Sequence, residues 1–241
     1  MKIIPNRAST ELPVAPLLLL EATCKTNLYL AKLPELFKSD GGGFYAVLNQ
    51  RNLSGFIGEV LKHAIFSCDN NFIPNPHPDG RPDLLDLRSK AARAYFESDC
   101  HESLTNTPRR EMLAPFRFGG IEIKCSIGKL KNAGDKPVGV PRVELVNGIT
   151  YWAHHAHGCN LLGAYYDYDD LKHGAPQIRA LFYTELLPSD WHKVSVGDPG
   201  KKKTSNTSLN KSGLKKLYQS LVMHHEDTVY IRLLDRLGIS R

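Results

Sequence analysis

Residues 118 to 126 read Phe-Gly-Gly-Ile-Glu-Ile-Lys-Cys-Ser, and their alternation constrains the chain more than any other stretch. Ile121, Ile123 and Cys125 alternate with Glu122, Lys124 and Ser126, a period of two that reads as a β-strand beside its glycine pair. Positions two apart on a strand stand about 6.6 Å apart on one face. The strand therefore sets a carboxylate next to an ammonium and anchors both through apolar side chains on the opposite face. Upstream, Arg81-Pro82-Asp83-Leu84-Leu85-Asp86-Leu87 is a second apolar run with polar interruptions. The extended backbone favoured ahead of Pro82 leads into a short strand over Asp83 to Leu87. There Asp83, Leu85 and Leu87 share a face while Asp86 points away, which makes Asp83 the stronger candidate. Two carboxylates and a lysine on neighbouring strands can hold a divalent cation and position a water for attack on phosphorus.

The pattern around this pair predicts one α/β domain over residues 1–241. Residues 14 to 37 carry Leu17, Leu20, Leu28, Leu30 and Ala31 at helical spacing, and Gly41-Gly42-Gly43 is a loop. Ser54 is placed to cap a helix running to about Phe66, with Ile57, Val60, Leu61, Ala64 and Ile65 on its apolar stripe. Glu59, Lys62 and His63 fall on the other side, where Glu59 is either a solvated helix charge or an extra acid for the site. Proline-rich turns occupy 68 to 81. Residues 88 to 116, helical in part, form an insertion between the two candidate strands. Val143 to Trp152 reads as a hairpin turned on Asn147-Gly148. Leu161 to Tyr166 and Gln177 to Thr184 read as buried strands, with Tyr165 and Tyr166 in the core. A basic loop spans 197 to 212. An amphipathic helix with Leu214, Leu217, Tyr218, Leu221 and Val222 on one stripe follows it, and His224-His225 would close that helix. A last helix is capped by Asp227 and ended by Gly238. The expected architecture is a mixed central sheet flanked by helices, with a helical N-terminal region and a C-terminal helix pair.

Composition narrows the partner and the compartment. The formal charge of +6 favours a polyanion such as nucleic acid. Cys24, Cys68, Cys100, Cys125 and Cys159 are scattered and form no C-x-x-C pair, which fits reduced thiols in a cytoplasmic protein. Leu17 to Leu20 is the most apolar run and is far too short to span a membrane. The chain reads as soluble and unexported, with no membrane partner.

Pro82-Asp83 followed by Glu122-Ile123-Lys124 resembles the PD-(D/E)xK signature of the nuclease superfamily that includes many type II restriction endonucleases. The resemblance covers this motif pair and the helix before it, and the gap from Asp83 to Glu122 is longer than the family's commonest spacing. Asp170-Leu171-Lys172 is a second acid-x-Lys match, but it runs into the turn His173-Gly174-Ala175-Pro176. The resemblance implies a restriction-endonuclease-like core. It implies Asp83 and Glu122 as Mg²⁺ ligands with the backbone carbonyl of Ile123, and Lys124 to orient or deprotonate the attacking water. Glu59 matches the place where some members carry a further acid. The implied reaction is hydrolysis of double-stranded DNA at a specific short sequence, leaving 5′-phosphate and 3′-hydroxyl, with no nucleotide cofactor. A repair or junction-resolving nuclease of the same fold, or a non-catalytic DNA-binding protein whose acids are structural, are the alternatives. In the last case Glu122 and Lys124 form a salt bridge and Asp83 lies in a turn.

Other polar clusters point to DNA contact. Lys201, Lys202 and Lys203 can neutralise phosphates, and Asn206 and Asn210 can reach base edges. Arg109, Arg110 and Arg117 form a second basic cluster near the motif. His154-His155-Ala156-His157-Gly158-Cys159 lacks the spacing to complete a tetrahedral zinc set, so His154 and His155 are read as contacts to phosphates or bases, or else as surface residues.

Overall fold

The computed structural model describes residues 1–4, 12–36, 48–130, 138–149, 152–153, 159–169, 174–193 and 207–239. In chain order, β1 (Lys2–Ile3) precedes α1 (Pro16–Leu36) and α2 (Gln50–Cys68), followed by β2 (Phe72–Pro74) and β3 (Leu84–Asp86). The helices α3 (Lys90–Asp99) and α4 (Arg110–Leu113) then separate β3 from β4 (Gly120–Ser126). Short strands β5 (Lys129–Leu130), β6 (Val146–Gly148) and β7 (Trp152–Ala153) lead to the long pair β8 (Cys159–Tyr168) and β9 (Pro176–Leu186). The chain closes with β10 (Thr207–Ser208), α5 (Lys211–Gln219), β11 (Leu221–His224) and α6 (Thr228–Arg236).

Seven strands form one mixed sheet in the order β1-β11-β9-β8-β4-β3-β2. β2, β3 and β4 make an antiparallel meander, and β4 then pairs parallel with β8. Helices cover both faces, so the expected α/β class with a mixed central sheet flanked by helices is the one observed. On one face α1 and α2 bury Leu19, Leu30, Ile57 and Leu61 against Leu84, Ile121, Ile123 and Tyr166. On the other, Leu217, Leu233 and Leu234 of α5 and α6 pack on Leu161, Tyr165 and Phe182. Nearer β3, the 88–116 segment forms its own cluster, with Ala92, Tyr95, Leu113 and Phe116 beneath Leu85 and Leu87. The strict alternation along β4 places Glu122 and Lys124 on this second face, between the two helical clusters.

Local chemistry explains where elements begin and end, and where the sequence pattern misleads. α2 starts earlier than the Ser54 expectation. Asn49 is the cap and accepts the Asn52 N–H at 3.0 Å, while Ser54 lies inside the helix and donates back to the Gln50 carbonyl. In α1 the buried stripe is Leu19, Ala22, Leu30 and Leu33, whereas Leu17 and Leu28 are 70% and 67% exposed. The hydroxyls of Thr23 and Thr26, buried on the same stripe, donate to the carbonyls four residues back, so this face accepts them without loss. Asn147-Gly148 does not turn a hairpin: both residues lie in β6, which pairs with β5. α5 ends at Gln219, and Leu221, Val222 and His224 belong to β11, buried between β1 and β9. A short apolar strand following a helix carries no periodicity that separates the two. The last helix forms as expected, with the Asp227 carboxylate accepting the Val229 N–H and Gly238 at a φ of 66° beyond its end. Among the described residues no helix is long and apolar enough to cross a membrane.

One close approach holds the two site strands in register. Leu85 stands opposite Gly120, whose φ is 153°, and a Cβ built there would lie 1.9 Å from the Leu84 carbonyl oxygen. We expect Gly120→Ala to force β3 and β4 apart, at a cost on the order of 3 kcal/mol, or about 6–12 °C in melting temperature. A melting curve within 2 °C of the parent would contradict this register.

Candidate active site

The pairing of β3 with β4 ends at Leu84 opposite Ile121. One residue further out, the next N–H of β4 on that side belongs to Ile123, and it donates to the Asp83 carboxylate at 2.7 Å. The Asp83 side chain thus takes the place of a missing strand carbonyl. This contact fixes the carboxylate at the edge of β4, beside Glu122.

Electrostatics record that closeness. Burial pushes the Asp83 carboxyl up to about 6, and the charge of Glu122 pushes in the same direction. Lys124, the Ile123 N–H and Lys62 pull it back down without cancelling the rise. Glu122 is itself buried and receives the Lys124 ammonium at 2.5 Å. Asp83, Glu122 and Lys124 are therefore brought together beside β4. The Glu122–Lys124 ion pair belongs equally to the structural alternative, and Asp83 lies in a bend just ahead of β3 and not in the expected strand, although its carboxylate is engaged by the Ile123 N–H. The neighbouring Cys125 thiol is pushed up to about 12 by burial, so it is a packing group and not a nucleophile.

The acid held in reserve lies on α2. Glu59 is well exposed and pairs with Lys62 at 2.6 Å, and both line a cavity of about 250 Å³ whose wall also includes Asp83. Asp86 is turned away from Asp83 and bound by Arg88, with Nη2 donating at 2.6 Å. Ile123, whose carbonyl is the expected third ligand, follows Glu122 on β4 and bonds Asp83 through its N–H.

Several groups that shape the site escaped the sequence reading. Asn75 holds the β2–β3 loop: its side-chain amide donates to the carbonyls of Pro82 and Leu113, and its backbone N–H donates to the Asp83 carbonyl. Gly80 packs so closely on Asn75 that a Cβ would lie 2.1 Å from its Oδ1. His77, in the same loop, accepts the Asp79 N–H on Nδ1 at 3.0 Å. The density of prolines in this stretch was the available clue to a rigid loop, but its contacts are tertiary.

The residues proposed to contact DNA fare differently. Asn210 caps α5, accepting the Gly213 N–H and donating to the Ser189 carbonyl, so its amide is engaged in the fold. Arg117 lies over the Tyr95 ring at 3.8 Å and the Phe118 ring at 4.8 Å. His224 and His225 end a strand, with a 2.7 Å contact between the His224 ring and the His225 carbonyl. Lys201, Lys202, Lys203, Asn206, His154, His155 and the Asp170-Leu171-Lys172 match lie outside the described residues.

Among the described residues no three His, Cys, Asp or Glu side chains cluster as a metal cage. Two carboxylates and a main-chain oxygen, completed by water, suit Mg²⁺, which keeps several waters and binds through one or two carboxylates. The mutual repulsion of Asp83 and Glu122 is what a cation between them would relieve.

The raised Asp83 has a consequence for stability. Its folded value lies above the ordinary 3.8, so the folded chain holds this proton more tightly than the unfolded one. The stability it contributes is complete below about pH 4 and is lost as pH rises through about 6. Asp83→Asn, neutral at every pH, should gain on the parent by on the order of 1–3 kcal/mol between pH 4 and pH 8. Paired thermal melts at the two pH values read this, and a difference unchanged with pH would show that Asp83 is not crowded. No family model, no curated protein and no solved structure matches this chain.

Proposed function

We propose that the chain is a metal-dependent endonuclease of the PD-(D/E)xK type. It hydrolyses phosphodiester bonds of double-stranded DNA at a specific short sequence, as a type II restriction enzyme acting in the cytoplasm. The observation that carries this reading is the convergence of Asp83, from the bend ahead of β3, with Glu122 and Lys124 of β4, the charge of Glu122 being felt at Asp83. The meander that presents them and the helix α2 ahead of it are the parts of the chain the resemblance covers.

The carboxylates of Asp83 and Glu122 and the Ile123 carbonyl would hold Mg²⁺. Bound there, Mg²⁺ supplies positive charge to the scissile phosphate and lowers the pKa of a bound water. Asp83 must give up its proton to serve, which requires a pH above about 6 in the free protein. Lys124 Nζ, held on Glu122 at 2.5 Å, would orient a water against phosphorus. As negative charge grows on the phosphoryl oxygens, the same ammonium offsets it. In-line attack by water would leave the 5′-phosphate and 3′-hydroxyl.

The Glu122–Lys124 ion pair is also the one observation that favours a non-catalytic DNA-binding protein, since a satisfied pair needs no further role. A plasmid assay separates the two. With Mg²⁺ the parent should cut supercoiled DNA to discrete bands, whereas a smear would favour a repair or junction-resolving nuclease. Asp83→Ala should lose at least about 10³-fold in rate and Lys124→Gln about 10²-fold or more, both still binding DNA at low salt. DNA binding by the parent without any nicking in Mg²⁺ or Mn²⁺ would refute the nuclease reading. Undiminished cutting by Asp83→Ala would place the site elsewhere.

A further inference from the structure

The cavity beside Asp83 contains two hydrogen-bond donors that the hydrolytic roles leave unused. Lys62 reaches it from α2 and His77 from the β2–β3 loop. We propose that Lys62 and His77 form a phosphate subsite that grips the DNA backbone next to the scissile phosphate, with Glu59 occupying Lys62 until the DNA displaces it. This inference rests on the nuclease reading of Asp83 and adds to it the way the strand is held.

The Lys62 side chain is only 13% exposed, whereas its partner Glu59 is 59% exposed. An exposed ion pair within a helix contributes little, so the contact with Glu59 does not by itself account for where Lys62 is held. A surface pair would leave the lysine in water. Here its stem is covered and its charge is delivered to a cavity wall, an arrangement suited to binding an anion. Glu59 takes one ammonium hydrogen at 2.6 Å, and because it faces solvent it can be released cheaply.

His77 is prepared in a different way. Its Nδ1 accepts the Asp79 N–H at 3.0 Å, so the neutral ring must carry its proton on Nε2. The ring is therefore a fixed N–H donor. Its backbone is fixed as well: the His77 N–H donates to Asn75 Oδ1 at 3.1 Å, and Asn75 is in turn tied to Pro82 and Leu113. Because Asn75 also bonds the Asp83 carbonyl, one rigid loop sets the spacing between His77 and the catalytic carboxylate. A cavity of about 250 Å³ holds several waters, which a phosphate group and its ester oxygens can displace.

Displacement of Glu59 yields a test with opposite signs. DNA binding is measured by fluorescence anisotropy with a short duplex of mixed sequence, in EDTA, over a range of salt. Lys62→Gln should weaken binding about tenfold and lower the salt slope by about one. Glu59→Gln should tighten binding several-fold, because the phosphate no longer competes for the ammonium. His77→Ala should weaken it several-fold and His77→Gln restore part of that loss, while Lys62→Arg retains the parental slope. A purely structural Glu59–Lys62 pair predicts that both partners' variants weaken binding or that neither changes it, and either result overturns the proposal. Plasmid nicking by the parent in Mg²⁺ is scored separately, so absence of nicking refutes the nuclease reading and leaves the binding result to judge the subsite. In a duplex with one methylphosphonate at the phosphate beside the cut, the parent should lose affinity and Lys62→Gln should lose no more. An equal further loss in Lys62→Gln would place that phosphate elsewhere.

Discussion

A single hydrogen bond, from the Ile123 N–H to the Asp83 carboxylate, joins the fold to its chemistry. β3 is only three residues long, and its ladder to β4 runs out at Leu84. An N–H left unpaired at that depth would cost about 1–3 kcal/mol, and Asp83 satisfies it with a side chain instead of a carbonyl. The sheet edge is completed by a negative charge. Because that charge is held by the backbone of the strand bearing Glu122, the two acids cannot move apart to relieve their repulsion.

The surrounding layers explain why the repulsion persists. On one face α1 and α2 seal the sheet with apolar contacts, and on the other two separate helical clusters leave β4 between them. Glu122 and Lys124 occupy that seam, close enough to apolar surface that water screens them poorly. Tension of this kind is expected at a functional site, where stability is given up for reactivity. Asn75 and Gly80 play the supporting part, because the loop they lock decides where Asp83 enters the sheet.

The elements most legible in the sequence are those whose pattern has one interpretation. β4 alternates because one of its faces is apolar throughout. β8 and β9 are apolar over most of their length because helices cover them on both sides, with Asp167 and Arg179 as buried exceptions. Asp83 and Glu122 stood out because Pro82 and the alternating strand gave them context. The misreadings share a cause in tertiary structure. Asn147-Gly148 carries a hairpin signal, yet pairing with β5 draws it into a strand. Leu221 and Val222 continue a helical stripe, yet the sheet claims them as β11. In α1 the leucines are spaced for two possible faces, and the buried threonines on one of them conceal which is used. Lys62, Asn75 and His77 could not have been grouped from spacing, since a helix and a loop bring them to Asp83.

The central claim is that Asp83 and Glu122 form a strained carboxylate pair that a divalent cation relieves. It is tested most directly by following the ¹³C resonance of the Asp83 carboxyl through a pH titration, with and without Mg²⁺. A midpoint near 6 is expected in the metal-free protein, with a downward shift of more than one unit on adding Mg²⁺. A midpoint near 4 that Mg²⁺ leaves unmoved would contradict it.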